Sequence, residues 1–193
     1  VLQPAGFDDA TNDIPFGLEP LASVASGRAV GVEALLQKKL SDVPVYGLVS
    51  VSVNRTTFTS LEGGAIRGAF DVPVIVNALV GWRPNARWEL SGRVRGASGL
   101  PTTPFVTTGP TAGALDFARY NAGPRLPAFF ALDLRADRRF TVRGGRQLIL
   151  YLDVQNATGR RNASFPRWDP RTGAPEPNTG LGVLPSIGLN WAF

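Results

Sequence analysis

The sequence predicts an all-β fold, an antiparallel transmembrane β-barrel segment of about seven strands, from three observations. Long stretches alternate apolar and polar residues with a period of two. The connections between these stretches alternate between short and long. The closing stretch 185–193 places Ile187, Leu189, Trp191 and Phe193 on one face of a strand and small or polar residues on the other. An apolar face that ends in aromatic residues is typical of a strand that crosses a bilayer.

The composition of the chain excludes several classes of function. Its 193 residues are 44% hydrophobic and 18% charged, as in a folded protein, and no apolar run is long enough for a membrane-spanning helix. Histidine and cysteine are absent, which removes the commonest general base, nucleophile and metal ligands. The sequence therefore predicts no enzyme, catalytic residue, metal or cofactor. The net charge is +5, but the basic residues form no single stripe, which disfavours nucleic acid as a partner.

Residues 1–27 are predicted to form an extracellular loop region, because turn-forming residues and acids occur there without a sustained apolar–polar period. Four oxygen-bearing side chains of this region are those that calcium prefers: Asp8, Asp9, Asn12 and Asp13. Their spacing does not fit an EF-hand, so solvated loop acids are the alternative to a cation site.

Strands are predicted in pairs along residues 28–193. The first pair covers about 29–37 and 45–54, with a short turn at 41–44, although a helix competes with the strand for Val32–Leu40. The second pair surrounds a turn at 83–86 and the third a turn at 143–145, and the terminal strand follows.

Three long connections separate the pairs, at 57–71, 99–127 and 157–184. Loops of this length are uncommon in compact soluble domains, but outer-membrane barrels combine long extracellular loops with short periplasmic turns. The asymmetry predicts that the short turns lie in the periplasm and that the long loops and residues 1–27 lie outside.

The charged face of the strands is expected to point into the barrel lumen. An Arg or Lys that faces lipid at the bilayer midplane costs roughly 2–4 kcal/mol, whereas a lumen hydrates such groups or lets them pair across strands. The residues predicted to face the lumen are Glu89, Arg93, Arg95, Asp133, Arg135, Asp137, Arg139 and Asp153. The alternative is a soluble sheet with this face in water, and its apolar face would then need a partner layer.

The chain resembles the C-terminal part of a TonB-dependent outer-membrane receptor. The similar segments, in family order, are 26–33, 97–105, Arg125-Leu126-Pro127 leading into 132–135, 151–156 and the closing 185–193. These segments are spread along the chain, so the resemblance extends over nearly all of it, from about residue 20 to the last residue.

The resemblance implies the last part of a larger barrel of roughly 22 strands with a plugged lumen, in an outer membrane of Gram-negative type. The function implied is energy-coupled uptake of a scarce nutrient of the siderophore, cobalamin or oligosaccharide class. The implied partners are membrane lipid and lipopolysaccharide, the barrel-assembly machinery, the TonB system through an N-terminal part, and the barrel strands and plug that are expected upstream or in other chains. The alternative is a structural outer-membrane component of a multi-chain assembly without its own transport activity.

Two groups of site residues accompany this resemblance. The terminal residues Ser186, Gly188, Trp191 and Phe193 resemble the signal that the barrel-assembly machinery reads, although an aromatic girdle at the membrane interface requires the same aromatic residues. In the family, ligand contacts come from extracellular loops. The most basic aromatic-containing loop carries Arg160, Arg161, Arg167, Trp168 and Arg171, which are expected to bind an anionic ligand or lipopolysaccharide phosphates, with plain solvation as the alternative.

Overall fold

A computed structural model describes residues 3–4, 21–22, 26–59, 64–142 and 144–192. The predicted cation ligands Asp8, Asp9, Asn12 and Asp13, and the terminal Phe193, lie outside these described residues.

The all-β prediction is confirmed for the described part of the chain. Its strands are β1 (Gln3–Pro4), β2 (Leu21–Ala22), β3 (Gly27–Lys38), β4 (Val45–Thr59), β5 (Ala65–Arg67), β6 (Val74–Asn85), β7 (Trp88–Ala97), β8 (Phe129–Thr141), β9 (Gln147–Gln155), β10 (Ala163–Asp169), β11 (Ala174–Thr179) and β12 (Leu184–Ala192). One turn of 3₁₀ helix, Phe117–Arg119, interrupts the longest loop. Among the described residues, none of the helical structure has the length and apolar character to span a bilayer.

One antiparallel sheet of eight strands dominates the fold. Its main path runs β12-β9-β8-β7-β6-β4-β3, and β5 pairs with the far end of β4. Consecutive long strands are neighbours because short turns join them as hairpins. Within the described residues the sheet is open, with β3 and β12 as its two edges. The strands of the sheet also have two ends. We call the end with the connections 39–44, 86–87 and 142–146 the short-turn end, and the opposite end the long-loop end.

The strand registers pair apolar residues with apolar residues and polar with polar, as the period of two predicts. Val32 lies opposite Val53, Trp82 opposite Leu90 and Leu152 opposite Ile187 on one face. On the other face Arg93 lies opposite Asp133, and Arg135 opposite Asp153. The helix that competed for residues 32–40 is excluded, because residues 32–38 belong to β3 and residues 39–40 are not helical.

The structure adds regular elements to two of the predicted loops. β4 continues to Thr59 and pairs with β5, so strand structure enters the loop predicted at 57–71. The loop predicted at 157–184 contains the hairpin of β10 and β11, which pair with each other and not with the main sheet. The turn predicted at 83–86 is narrower, because β6 ends at Asn85 and β7 begins at Trp88. These segments lack a clean period of two, so alternation could not predict them.

Burial in this sheet is the reverse of that in a water-soluble protein. Among the described residues, Ala131 is the one hydrophobic residue in the buried class apart from glycine and proline. The buried polar and charged residues are Asp71, Glu89, Thr102, Asn121, Asp133 and Asp137. Large apolar side chains are instead exposed along one face, for example Leu152 at 51%, Ile187 at 73% and Val32 at 74%. The chain therefore organises its interior around ion pairs and presents its apolar surface outward.

Candidate functional site

The eight residues predicted to face the lumen all project from one face of the sheet, which we call the polar face. Alternation along β7, β8 and β9 puts them there, and the cross-strand register places Arg93 opposite Asp133 and Arg135 opposite Asp153. Glu89 lies opposite another acid, Asp137, and forms its ion pairs with arginines at other positions. The polar face therefore carries clusters of ion pairs across neighbouring strands.

Glu89 is the most connected acid of the polar face. Its side chain is 8% exposed, and Arg83 Nε donates to its Oε2 at 2.7 Å. Arg139 Nη2 donates to the same oxygen, and Tyr46 Oη donates to Oε1. Sequence reasoning did not single out Tyr46 or Arg83, although alternation places Tyr46 on this face. The two arginines and the hydroxyl together keep a carboxylate satisfied where water has little access.

Asp133 forms a second cluster nearer the long-loop end. Arg93 donates to Oδ2 through Nη2 at 2.8 Å and through Nε at 3.0 Å, and Arg95 Nη2 lies 3.2 Å from the same oxygen. The backbone N–H of Asn156 donates to Oδ1 at 2.9 Å, so Asp133 also fixes the start of the loop after β9. Asp133 thus connects the ionic face of the sheet to the loop above it.

Arg135 forms a third cluster with Asp137 and Tyr151. Its Nη2 donates to Asp137 Oδ1 at 2.7 Å, and its guanidinium lies 3.9 Å from the centre of the Tyr151 ring. Two buried atoms of this face, Arg95 Nε and Asp153 Oδ1, have no hydrogen-bond partner within the described residues. Both atoms are covered by neighbouring groups of the described chain, so they are unsatisfied polar atoms within this face.

Two tyrosines of the polar face lie flat across glycines on the neighbouring strand. Tyr46 is opposite Gly81, where an added Cβ would come within 2.1 Å of the ring, and Tyr151 is opposite Gly188, where the distance would be 2.2 Å. Only a residue without a side chain leaves room for the ring at these positions. Gly188, predicted as part of an assembly signal, thus also forms a packing site for Tyr151.

Replacing Gly81 with alanine is expected to destabilise the sheet by about 1–3 kcal/mol, because the new methyl group displaces the Tyr46 ring and its hydrogen bond to Glu89. Gly96→Ala is the matched control, because no atom lies within 4 Å of the added Cβ. The control should be neutral or stabilising by up to about 1 kcal/mol. Urea unfolding of both variants measures the difference, and equal stabilities would contradict the ring-on-glycine packing.

The opposite face, which we call the apolar face, carries a row of aromatic residues near the short-turn end. The row consists of Trp82, Trp88, Phe140 and Trp191, all at least 37% exposed. Phe140 and Trp191 both lie opposite Leu148, and Trp82 lies opposite Leu90 on β7, the strand that begins with Trp88. Aromatic residues in such a row, beside an exposed aliphatic surface, are typical of a membrane–water interface.

At the long-loop end, Asp71 joins two loops. Its side chain accepts hydrogen bonds from the Thr56 backbone N–H at 2.7 Å and from Arg125 Nη2, and Arg125 Nη1 also reaches the Gly99 carbonyl at 3.1 Å. Burial by itself raises the pKa of Asp71, but the hydrogen bonds from Thr56 and Arg125 and the charge of Arg125 outweigh it and hold the pKa below its ordinary value. This contact between residues 54 positions apart was not predicted from the sequence.

Asp71 is expected to protect backbone amides of the 99–127 loop from hydrogen exchange, and this protection should depend on pH. Because folding lowers the pKa of Asp71, its stabilising contribution is complete above the unfolded value of about 3.9 and is lost as pH falls through the folded value. Amide hydrogen exchange in 99–127, corrected for intrinsic rates, should therefore be slow at neutral pH and faster in acid. Asp71→Asn should exchange fast at both. Asp116→Asn, which affects a pair inside one turn with Arg119, should keep the pH dependence.

The five residues predicted to bind an anionic ligand are only partly brought together. Arg167 pairs with Glu176 at 3.2 Å and Arg171 with Asp169 at 3.5 Å, while Arg160 donates to the Ala128 carbonyl at 2.8 Å. Trp168 packs against Phe105, with ring centres 5.6 Å apart, and against Gly113 of the neighbouring loop. The exposed Arg161 completes the set. Within the part of the chain that the structure describes, each basic group of this set except Arg161 has a partner, so an anion would have to compete with these contacts.

Within the described residues, no group of three or more His, Asp, Glu or Cys side chains is arranged to hold a metal ion. No protein-family model, curated protein or solved structure matches the chain.

Proposed function

We propose that this chain is the C-terminal part of a TonB-dependent outer-membrane transporter, whose barrel wall and outer loops serve energy-coupled uptake of a scarce nutrient. The observation that carries the proposal is the reversed burial of the sheet, with carboxylates such as Glu89 and Asp133 at 6% exposure and leucines such as Leu152 at 51%. A large exposed apolar surface marks a contact with membrane or protein, and a sheet that spans a membrane carries such a surface on its lipid side.

The position of the aromatic row supports a tilted membrane strand. Trp82 shares a hydrogen-bonded row with Leu90, Ala136, Leu152 and Ile187, four strands away on β12. Trp191 is four residues beyond Ile187 (191 − 187), towards the short-turn end. The rise is about 3.4 Å per residue and the spacing between strands is about 4.8 Å. If the membrane surface passes through Trp82 and Trp191, the strands are therefore tilted by about 35° from the membrane normal. Strands of outer-membrane barrels tilt by roughly 35–45°.

The polar face supports a barrel lumen. Its ion pairs form between strands, and two of its arginine side chains stay partly exposed, Arg93 at 49% and Arg95 at 39%. Exposed charges of this kind can be hydrated in a lumen or contact a plug that docks there.

The two sheet edges support a larger barrel. The outer edges of β3 and β12 are unpaired within the described sheet, and unsatisfied backbone groups in lipid cost several kcal/mol each. Further strands are therefore needed on both sides. They belong to the same polypeptide in the transporter proposal, and to other chains in the alternative, a structural component of a multi-chain barrel.

Uptake measurements in cells test the proposal. Deleting the gene should abolish saturable accumulation of one labelled nutrient among siderophores, cobalamin and oligosaccharides, and collapsing the proton-motive force should abolish the same uptake in the wild type. The intact mass of the purified polypeptide separates the two candidates, because the transporter requires a longer chain with a plug. Unchanged uptake of all three classes, together with a single short chain, would favour the structural component. Extraction into buffer without detergent would refute both.

A further inference from the structure

The short-turn end of the sheet is strongly basic. The three segments that form it, 38–45, 82–89 and 138–148, contain eight Lys or Arg residues and two acids, Asp42 and Glu89. Glu89 is already occupied on the polar face by Arg83 and Arg139. Within the described residues, five cations at this end have no carboxylate within 4.0 Å: Lys38, Lys39, Arg87, Arg138 and Arg146.

The long-loop end also carries arginines. Some are paired with acids, as in Arg119 with Asp116, Arg125 with Asp71 and Arg167 with Glu176, whereas Arg28 and Arg55 are exposed and have no carboxylate within 4.0 Å among the described residues. The short-turn end differs because its cations lie beside the aromatic row of the apolar face. A positive surface beside an apolar face attracts anionic lipid within a Debye length.

Arg138 connects the basic end to the apolar face. By the alternation of β8 it projects on the same side as Leu134 and Phe140, and its guanidinium lies 4.7 Å from the Trp88 ring centre and 5.5 Å from that of Phe140. The two rings hold the guanidinium by cation–π contact at the level of the aromatic row. An arginine that faces lipid costs much less near the membrane interface than at the midplane.

We infer that the short-turn end of the apolar face binds the phosphate headgroups of anionic phospholipids, with Arg138 and Arg146 as the principal contacts. The inference rests on the proposed function, because it requires the apolar face to lie in a bilayer. Guanidinium groups form paired hydrogen bonds to phosphate oxygens, and tryptophan rings lie at headgroup level beside them. A lipid fits better than free phosphate, because the exposed aliphatic side chains Leu150 and Leu189 continue from this point along the surface where acyl chains would lie.

The test uses the complete polypeptide that contains these residues, purified in neutral detergent and titrated with phosphatidylglycerol, with bound lipid counted by native mass spectrometry. Each basic residue near an anionic surface contributes about a factor of five in affinity, so Arg138→Gln with Arg146→Gln should weaken binding by about 30-fold. The matched control is Arg28→Gln with Arg55→Gln, which removes two exposed arginines from the same face at the long-loop end and should change affinity by less than about threefold.

Insertion into vesicles of phosphatidylcholine alone separates this inference from the proposed function. If the wild type inserts into no vesicle, the proposed function fails. If it inserts and both double variants bind phosphatidylglycerol equally well, only this inference fails. Displacement of the lipid by inorganic phosphate at equal concentration would also overturn it. Should the double variant not assemble, Arg146→Gln alone, at an exposed position, is expected to lose about fivefold, and an unchanged affinity would overturn the inference.

Discussion

Replacing Glu89 with glutamine is expected to lower the free energy of unfolding by about 3 kcal/mol. Removing one member of a buried ion pair costs roughly 3–5 kcal/mol, because the remaining charge is left uncompensated, and here two arginines lose their common carboxylate. The lower end of that range applies because the Arg83 side chain is 41% exposed and water screens part of its charge. Urea unfolding in phospholipid vesicles, followed by tryptophan fluorescence, measures the loss.

Glu176→Gln is the matched control for this prediction. It removes the same charge from an ion pair with Arg167, but the two side chains are 53% and 80% exposed. A pair of this kind contributes about 0–1 kcal/mol, so the control should unfold close to the wild type. Similar losses for the two variants would show that Glu89 acts as an ordinary surface group and that the polar face is not an interior.

The two faces of the sheet could be predicted from sequence because each long strand repeats its apolar period over many residues. A slip of one residue would turn every side chain of a strand to the wrong face, so the pattern fixes the register once neighbours are known. This explains why Val53 and Val74 lie on one face and Arg93 and Asp133 on the other, as expected. The helix alternative for residues 32–40 failed for a different reason: residues 32–38 pair with β4 although Ala34, Leu35 and Leu36 break the alternation there.

Contacts within and between the loops could not be predicted, because no periodic pattern specifies them. Asp71 and Arg125 are ordinary loop residues in the sequence, and only the fold brings them together.

The β10–β11 hairpin was missed because Pro166, Pro175 and Pro177 argue against strands, although prolines are tolerated at edges. The basic loop was predicted as a ligand site from composition alone. Its acids, Asp169 and Glu176, lie in the same hairpin and pair with its arginines, and alternation gives no means to foresee that.

The Tyr46–Glu89 bond shows which part of the site lay within reach of the sequence. Alternation assigns both residues to the polar face, but the two strands that carry them are separated by β6 in the sheet. The tyrosine crosses that strand over Gly81, where a side chain would block it. Recognising the contact therefore requires strand order and a glycine at one register position, and the sequence pattern supplies neither by itself.

Introducing arginine at Leu152, on the apolar face, is expected to cost about 2–4 kcal/mol in a membrane-inserted protein, because the position lies well inside the aromatic row. Leu35→Arg is the matched control on the polar face. Leu35 lies opposite Ser50 and is 66% exposed, so the new charge points towards water or a polar partner and should cost less than about 1 kcal/mol. Urea unfolding in vesicles compares both variants with the wild type.

This pair of substitutions separates lipid from water because both side chains are more than half exposed, Leu152 at 51% and Leu35 at 66%. In a water-soluble sheet both sites accept a charge at the surface, where substitutions usually change stability by within about 0.5 kcal/mol. In a bilayer the two faces are no longer equivalent, and only Leu152 is forced to place a guanidinium against acyl chains. Equal, small effects would therefore contradict the membrane assignment of the apolar face, whereas a selective loss at Leu152 would require lipid there.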